Sequence, residues 1–298
     1  QYGCDDPEGF LRVTHALSLN DTFWVREADA ALCWEDVSLY TNPFSEIISE
    51  AAFDGIISET DLSSTSPEFG TDGYYAKCWK REERGIYLYK SGSAHYELEP
   101  LSEYLAAQLS ERLCPGAVSY DMGFYRNKLV SKCPLFTSEA VGLAKAGAVF
   151  CGEERTIPEL LAFFDGIGSG DAFRRMCVLD AVILNPDRHY GNFGVLFDTD
   201  TLEIQGMAPV FDHNRSLLPE LDNDQLADPS WYLRRCKPRL GQDFIRNAKG
   251  LLTDDIRRDL MELKDFTFQQ HPRIHAEQER LDALSRIVQG RIRLILSD

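Results

Sequence analysis

Positive charge is scarce in this chain. Its 298 residues carry 31 Lys and Arg against 48 Asp and Glu, a formal net charge of −17. That balance argues against a broad basic surface for the phosphate backbone of nucleic acid. It argues equally against docking on an anionic membrane. A basic protein or peptide partner fits better. Long apolar runs are also missing. No stretch of 18 apolar residues occurs, so no transmembrane helix is expected. The N-terminus has no signal-peptide pattern. There is no internal repeat and no low-complexity tract. Eight cysteines stand at positions 4, 33, 78, 114, 133, 151, 177 and 236. None forms a C-x-x-C pair, which argues against a zinc site of the usual spacing. Several lie in apolar runs and read as small buried hydrophobes of a reduced, cytoplasmic protein. The first residue is Gln rather than Met, so a preceding segment is expected.

What is present is ordinary globular composition, 44% hydrophobic and 27% charged, in a chain long enough for two lobes. Short β-like runs, Phe23–Val25 and Val37–Tyr40, are expected early, with Trp24 and Trp34 as packing residues. A small-residue loop at 61–73 precedes two strands, 74–79 and 85–90, joined as a hairpin by the charged turn 80–84. Leu101, Leu105, Leu109 and Leu113 repeat at helical spacing and predict a helix over 98–113, with Pro100 in its first turn. Two more strands are expected at 118–124 and 128–131. From Thr156 the pattern turns helical, with helices expected from Thr156 and over 171–184, 244–252, 254–263 and 276–296. The fold class is therefore α+β in two parts. A β-rich lobe spans 1–134 and a helical lobe 135–298, with a hinge at Cys133-Pro134-Leu135.

One segment carries chemistry. Residues 185–194 read N-P-D-R-H-Y-G-N-F-G, and 209–213 read P-V-F-D-H. Asp187 precedes Asn192 by five residues, the spacing of the protein-kinase catalytic loop. Asp212 follows twenty residues later. Phosphoryl transfer needs this set: one carboxylate to orient and deprotonate the acceptor hydroxyl, and an amide oxygen with a second carboxylate to hold Mg²⁺ against the phosphates. The segment follows the apolar helical run 176–184 and precedes a strand at 193–197, with a further strand ending at Val210-Phe211. Polar residues fixed between buried elements mark function more often than those of a free loop. N-P-D alone is only a turn signal.

A phosphate site also needs a cation and a holder for it. Lys90 ends a strand on the apolar face of Ile86 and Leu88, where an unpaired ammonium is costly. At a strand end it can also snorkel to solvent. Glu103 on the following helix is its candidate partner. Glu97 and Glu99 compete for that role, and Lys77 competes more weakly with Lys90. The loop 61–73 can wrap phosphates with its backbone, Ser64 and Thr65 at its centre. A solvated linker would look the same.

G-Y-Y-A-K-C-W, Y-L-Y-K-S-G-S, E-P-L-S-E-Y-L-A, N-P-D-R-H-Y-G-N-F-G and P-V-F-D-H together resemble the HipA-like serine/threonine kinases of bacteria, over about residues 60 to 220. The resemblance implies a two-lobed fold related to protein and phosphoinositide kinases, with ATP in the cleft. It implies Asp187 as catalytic base, Asn192 and Asp212 as Mg²⁺ ligands, and Lys90 as nucleotide lysine. His189 then orients the loop. The hinge Cys133-Pro134-Leu135 is expected to pair with adenine through its backbone N–H and C=O groups, apart from the Pro134 nitrogen. A protein substrate with a Ser or Thr acceptor is expected, and an antitoxin-like regulatory partner is possible within such a family. The loop hydroxyls Ser63, Ser64, Thr65, Ser66 and Thr71 become candidates for an autophosphorylation switch. Two departures stand out. Gly191 replaces the lysine that often precedes the motif Asn, and Asp212 is followed by His-Asn with no Gly. A small-molecule or lipid kinase, or a pseudokinase binding module, are the alternatives.

Overall fold

The computed structural model describes residues 7–54, 66–67, 76–93 and 97–297. A four-stranded antiparallel sheet, ordered β1-β2-β4-β3, forms the first lobe. Its strands are β1 (Lys77–Glu82), β2 (Gly85–Ser91), β3 (Asp121–Tyr125) and β4 (Lys128–Pro134). The β1–β2 hairpin is tighter than expected. Lys80, Arg81 and Glu82 continue the ladder opposite Tyr87, Ile86 and Gly85, leaving Glu83-Arg84 as the turn. Gly85 adopts φ +141°, which explains a glycine there. The helix Glu99–Leu113 packs on this sheet and is buried along most of its length.

A second sheet, β5-β6-β7, opens the other lobe: β5 (Val141–Lys145), β6 (Gly194–Asp198) and β7 (Ile204–Met207). β5 is not anticipated by the sequence reading, because V-G-L-A-K alternates too weakly. Its Gly142 lies under the Phe197 ring, where a Cβ would come within 2.4 Å. β7 ends at Met207, so the expected strand up to Phe211 stops short. Behind this sheet stand the helices Ile157–Gly166, Gly170–Ile183, Phe244–Leu251, Asp254–Glu262 and Gln278–Leu296. Thr156 caps the first through a capping box with Glu159. The stripe Leu281, Leu284, Val288, Ile292 and Ile295 is wholly buried in one large core with Met176, Val178, Leu179 and Val182. Within the described residues, no helix is long and apolar enough to cross a membrane.

The N-terminal segment differs from expectation. Phe23–Val25 is extended without ladder partners, and Val37 ends a short helix, Trp34–Val37. The helices Pro7–Thr14 and Glu46–Asp54 flank it. Trp24 and Trp34 pack beside Leu17, Leu19, Val37 and Leu39 against Ile86 and Trp79 of the first sheet. None of the seven described cysteines forms a disulfide.

Candidate active site

The site lies where the two lobes meet, and three elements build it. β2 delivers Lys90, the helix Glu99–Leu113 delivers Glu103, and the turn after Phe211 delivers Asp212. Lys90 Nζ lies 2.9 Å from Glu103 Oε1 and 2.8 Å from Asp212 Oδ1. Glu103 Oε2 accepts from the Ser131 hydroxyl of β4. The competition among glutamates is thereby resolved by geometry. Glu99 instead accepts from Ser93 N–H at 3.0 Å, and Glu97 is exposed. Lys77 lies opposite Lys90 in the β1–β2 register and lines the same cavity.

Charge in this cluster is unbalanced, with two carboxylates on one ammonium. Burial alone would raise the Asp212 pKa, but the adjacent Lys90, helped by Arg188, holds it down at about 2. Burial favours neutral Lys90, yet Asp212 and Glu103 overcome it and keep the ammonium charged. Glu103 is pushed upward by burial against the pull of Lys90. The excess of negative charge around Asp212 suits a further cation.

Asp212 occupies the left-handed region at φ +59°, and its N–H donates to Tyr120 Oη at 2.9 Å. Asp tolerates that conformation better than most non-glycine residues. The turn therefore bends at Asp212 itself and needs no glycine after it. This accounts for the second departure seen in the sequence.

The loop 185–192 is held by its own backbone. His189 N–H donates to Asp187 O, and Asn192 N–H to His189 O, both at 2.8 Å. Asn192 Nδ2 donates to Asp187 O at 3.1 Å, so its Oδ1 remains as a possible metal ligand. His189 Nδ1 accepts from Gly191 N–H at 2.9 Å. A Cβ at 191 would lie 2.8 Å from His189 Cε1 and 2.9 Å from Nδ1. This packing gives Gly191 a physical reason: a side chain there displaces the imidazole. Asp187 Oδ1 lies 3.3 Å from Arg239 Nε, an exposed arginine that the sequence reading did not single out.

Arg188 is the largest fully buried side chain among the described residues and joins the site's parts. Its Nε and Nη2 grip both oxygens of Asp180 at 3.0 Å. Its Nη1 donates to Asn192 O at 2.7 Å and to Phe211 O at 2.6 Å. Nη2 also faces His213 Nδ1 at 3.4 Å. A guanidinium only donates, so His213 Nδ1 accepts and Nε2 carries the proton. Burial, then the charge of Arg188, presses the His213 pKa down to about 3. Asp180 was the available signal for this hub: a lone carboxylate inside the apolar run 176–184 requires a buried cation.

The hinge expectation needs correction. Leu88 lies opposite Cys133 in the β2–β4 ladder, and Leu135 N–H donates to Ile86 O at 2.8 Å. Bonded and non-bonded pairs alternate along an antiparallel ladder. Cys133 and Leu135 therefore direct their backbone at β2, not at a ligand. β3 pairs with β4 only as far as Lys132, so beyond it the opposite edge carries no strand. The groups facing that side are Pro134 C=O and Phe136 N–H. The side chains of Cys133 and Leu135 still line the cavity. Burial first of all pushes the Cys133 thiol up to about 12, so it is inert packing.

Asp187, His189, Asn192, Asp212, Lys90, Lys77, Cys133 and Leu135 all border one cavity of about 370 Å³. Its lining joins apolar side chains, Trp79, Leu88, Val118 and Phe211 among them, to the charged ones. A larger groove of about 1090 Å³ lies beside Leu98, Met122 and residues 274–280. It carries Asp222, Asp224, Glu277 and Glu279 against the single cation Arg280, so it lacks the cations that phosphates need. Ser64 and Thr65 lie outside the described residues, as do Ser63 and Thr71. Ser66 is described and is 2% exposed, which removes it as a phosphate acceptor in this fold.

Among solved structures, the fold is similar to that of the Helicobacter pylori proinflammatory kinase CtkA, at 18% identity and a TM-score of 0.56 over 74% of this chain and 92% of that one. HipA of Shewanella oneidensis MR-1, solved with HipB and operator DNA, aligns at 11% identity and a TM-score of 0.42 over 69% of this chain and 57% of that one. No family model matches the sequence, and no curated protein does. The likeness to CtkA establishes the architecture: this chain has a kinase fold, with a β-sheet lobe and a helical lobe.

Proposed function

We propose that this chain transfers the γ-phosphoryl group of ATP to a Ser or Thr hydroxyl of a protein. The observation that carries the reading is the junction of Lys90 with Glu103 and Asp212, three residues from three elements brought within 2.9 Å. In this reading Lys90 anchors the nucleotide phosphates, and Glu103 fixes the ammonium. Asp187 accepts the hydroxyl proton as that oxygen bonds to the γ-phosphorus and the bond to the β-phosphate oxygen breaks, releasing ADP. Asn192 Oδ1 and Asp212 Oδ2 are hard oxygen donors that fit Mg²⁺, which takes few protein ligands alongside phosphates. When bound there, the ion would neutralise phosphate charge. His189 acts through Gly191 as a positioning residue. The net charge of −17 favours a basic polypeptide acceptor over an anionic lipid.

Incubation with γ-labelled ATP, Mg²⁺, candidate proteins, lipids and metabolites tests this. Label on protein hydroxyls supports the reading. Label confined to a small molecule or lipid redirects it, and none with any acceptor removes it.

Two variants probe the metal and the loop. Asp212→Asn is expected to reduce MgATP affinity to that of metal-free ATP, measured by calorimetry. Metal-dependent tightening retained in the variant would contradict the assignment. Gly191→Lys restores the charge common in the resembling family, yet it is expected to slow turnover roughly 10- to 100-fold by displacing His189. A faster enzyme would show that charge outweighs packing there.

A further inference from the structure

The N-terminal segment runs across the outside of the connector between the lobes. The Thr137 hydroxyl donates to Leu19 O. Leu143 N–H of β5 donates to Asn20 O at 2.6 Å. Trp34 Nε1 and Ser38 Oγ both donate to Glu139 Oε1 at 2.8 Å. Phe23 stacks on Phe197 of β6 with centroids 6.4 Å apart. Leu17 and Leu19 meanwhile pack with Ile86, Trp79 and Leu135 on the sheet side. The segment thus holds both lobes and the connector at once.

Leu19 and Asn20 also line the cavity that contains Lys90 and Asp212. They enter it at the connector, next to Thr137 and Leu143, where Pro134 C=O and Phe136 N–H are free for a base edge. Both backbone groups of Asn20 are satisfied: N–H by Ser18 Oγ at 3.1 Å and C=O by Leu143. Its carboxamide, half-buried, makes no hydrogen bond among the described residues. A half-buried amide in the cavity wall, with donor and acceptor both unused by the protein, can exchange water for a ligand's polar groups.

We propose that Leu19 and Asn20 form the outer wall of the nucleoside pocket, and that the Asn20 carboxamide hydrogen-bonds the bound nucleoside. This rests on the reading that the cleft takes ATP. Leu19 supplies apolar cover, and Asn20 a donor and an acceptor to the base edge or the ribose hydroxyls. Nucleoside selectivity would then come partly from a segment that belongs to neither sheet.

The test is direct binding of MgATP, Mg-2′-deoxy-ATP, MgGTP and magnesium triphosphate to wild type and Asn20→Ala. The variant keeps the backbone bonds of residue 20, and an unchanged thermal midpoint confirms the fold. MgATP is expected to bind the variant about 3- to 10-fold more weakly, the value of one net hydrogen bond. Magnesium triphosphate should bind both proteins equally. A ribose contact predicts that the variant no longer separates ATP from 2′-deoxy-ATP; a base contact predicts that it no longer separates ATP from GTP. Equal MgATP affinity in the two proteins overturns the role of Asn20 while leaving the cleft's reading intact. A wild type that binds neither ATP nor triphosphate removes both.

Discussion

Asp187→Ala is expected to abolish phosphoryl transfer while leaving MgATP binding unchanged. Asp187 stands in the loop beside Asn192 and makes no hydrogen bond or ion pair with Lys90, Glu103 or Asp212. Its side chain is a third exposed, open to an incoming hydroxyl, and Arg239 pairs with it at 3.3 Å. Removing it deletes a proton acceptor, not a nucleotide contact. A positioned base contributes roughly 10²- to 10⁴-fold to rate. Single-turnover measurements at saturating MgATP give the loss in the chemical step, and calorimetry gives the affinity. Turnover near wild type contradicts the assignment of the base. Loss of nucleotide affinity as well would place Asp187 with the nucleotide contacts instead.

Arg188→Met is expected to destabilise the protein by about 3–5 kcal/mol, because it leaves a buried carboxylate without its cation. Asp180 is 5% exposed and, among the described residues, has Arg188 and Asn185 as its hydrogen-bonding side-chain partners. The same substitution strands Asn192 O and Phe211 O, which flank the two candidate metal ligands. Asp180→Leu should lose a comparable amount by leaving the guanidinium unpaired. The double variant should lose less than the sum of the two, since no buried charge is left alone. Denaturant midpoints of the four proteins decide this. Strict additivity would show that the pair is not the hub that the geometry describes.

Much of this architecture was legible because it depends on local signals. Leucines at helical spacing marked the helix that carries Glu103, and Pro100 marked its first turn. The apolar face of Ile86, Leu88 and Lys90 marked a lysine that had to find a partner. The partner's identity was not legible, since Glu97, Glu99 and Glu103 all follow Lys90 closely, and only the start and docking of the helix leave Glu103 facing it. The ladder phase at the connector was equally hidden: a strand shifted by one residue exchanges the backbone groups that face β2 with those that face the cavity. Backbone groups of all three hinge residues were therefore expected at the base, whereas those of Cys133 and Leu135 face β2 and Pro134 C=O is joined by Phe136 N–H. The N-terminal segment has aromatics and short β-like runs but no sheet to join, so propensity misled. Its course is set by bonds to Thr137, Leu143 and Glu139, more than a hundred residues away in sequence. Arg239 reaches Asp187 from a loop with no pattern of its own.

The central claim is that one cleft holds MgATP between Lys90, Asn192 and Asp212 with its γ-phosphate toward Asp187. A crystal structure with Mg²⁺ and a non-hydrolysable ATP analogue tests it most directly. The account predicts the base against Pro134 and Phe136, the phosphates on Lys90, and the ion on Asn192 Oδ1 and Asp212 Oδ2. An analogue bound elsewhere, or a metal held away from Asn192 and Asp212, would contradict it.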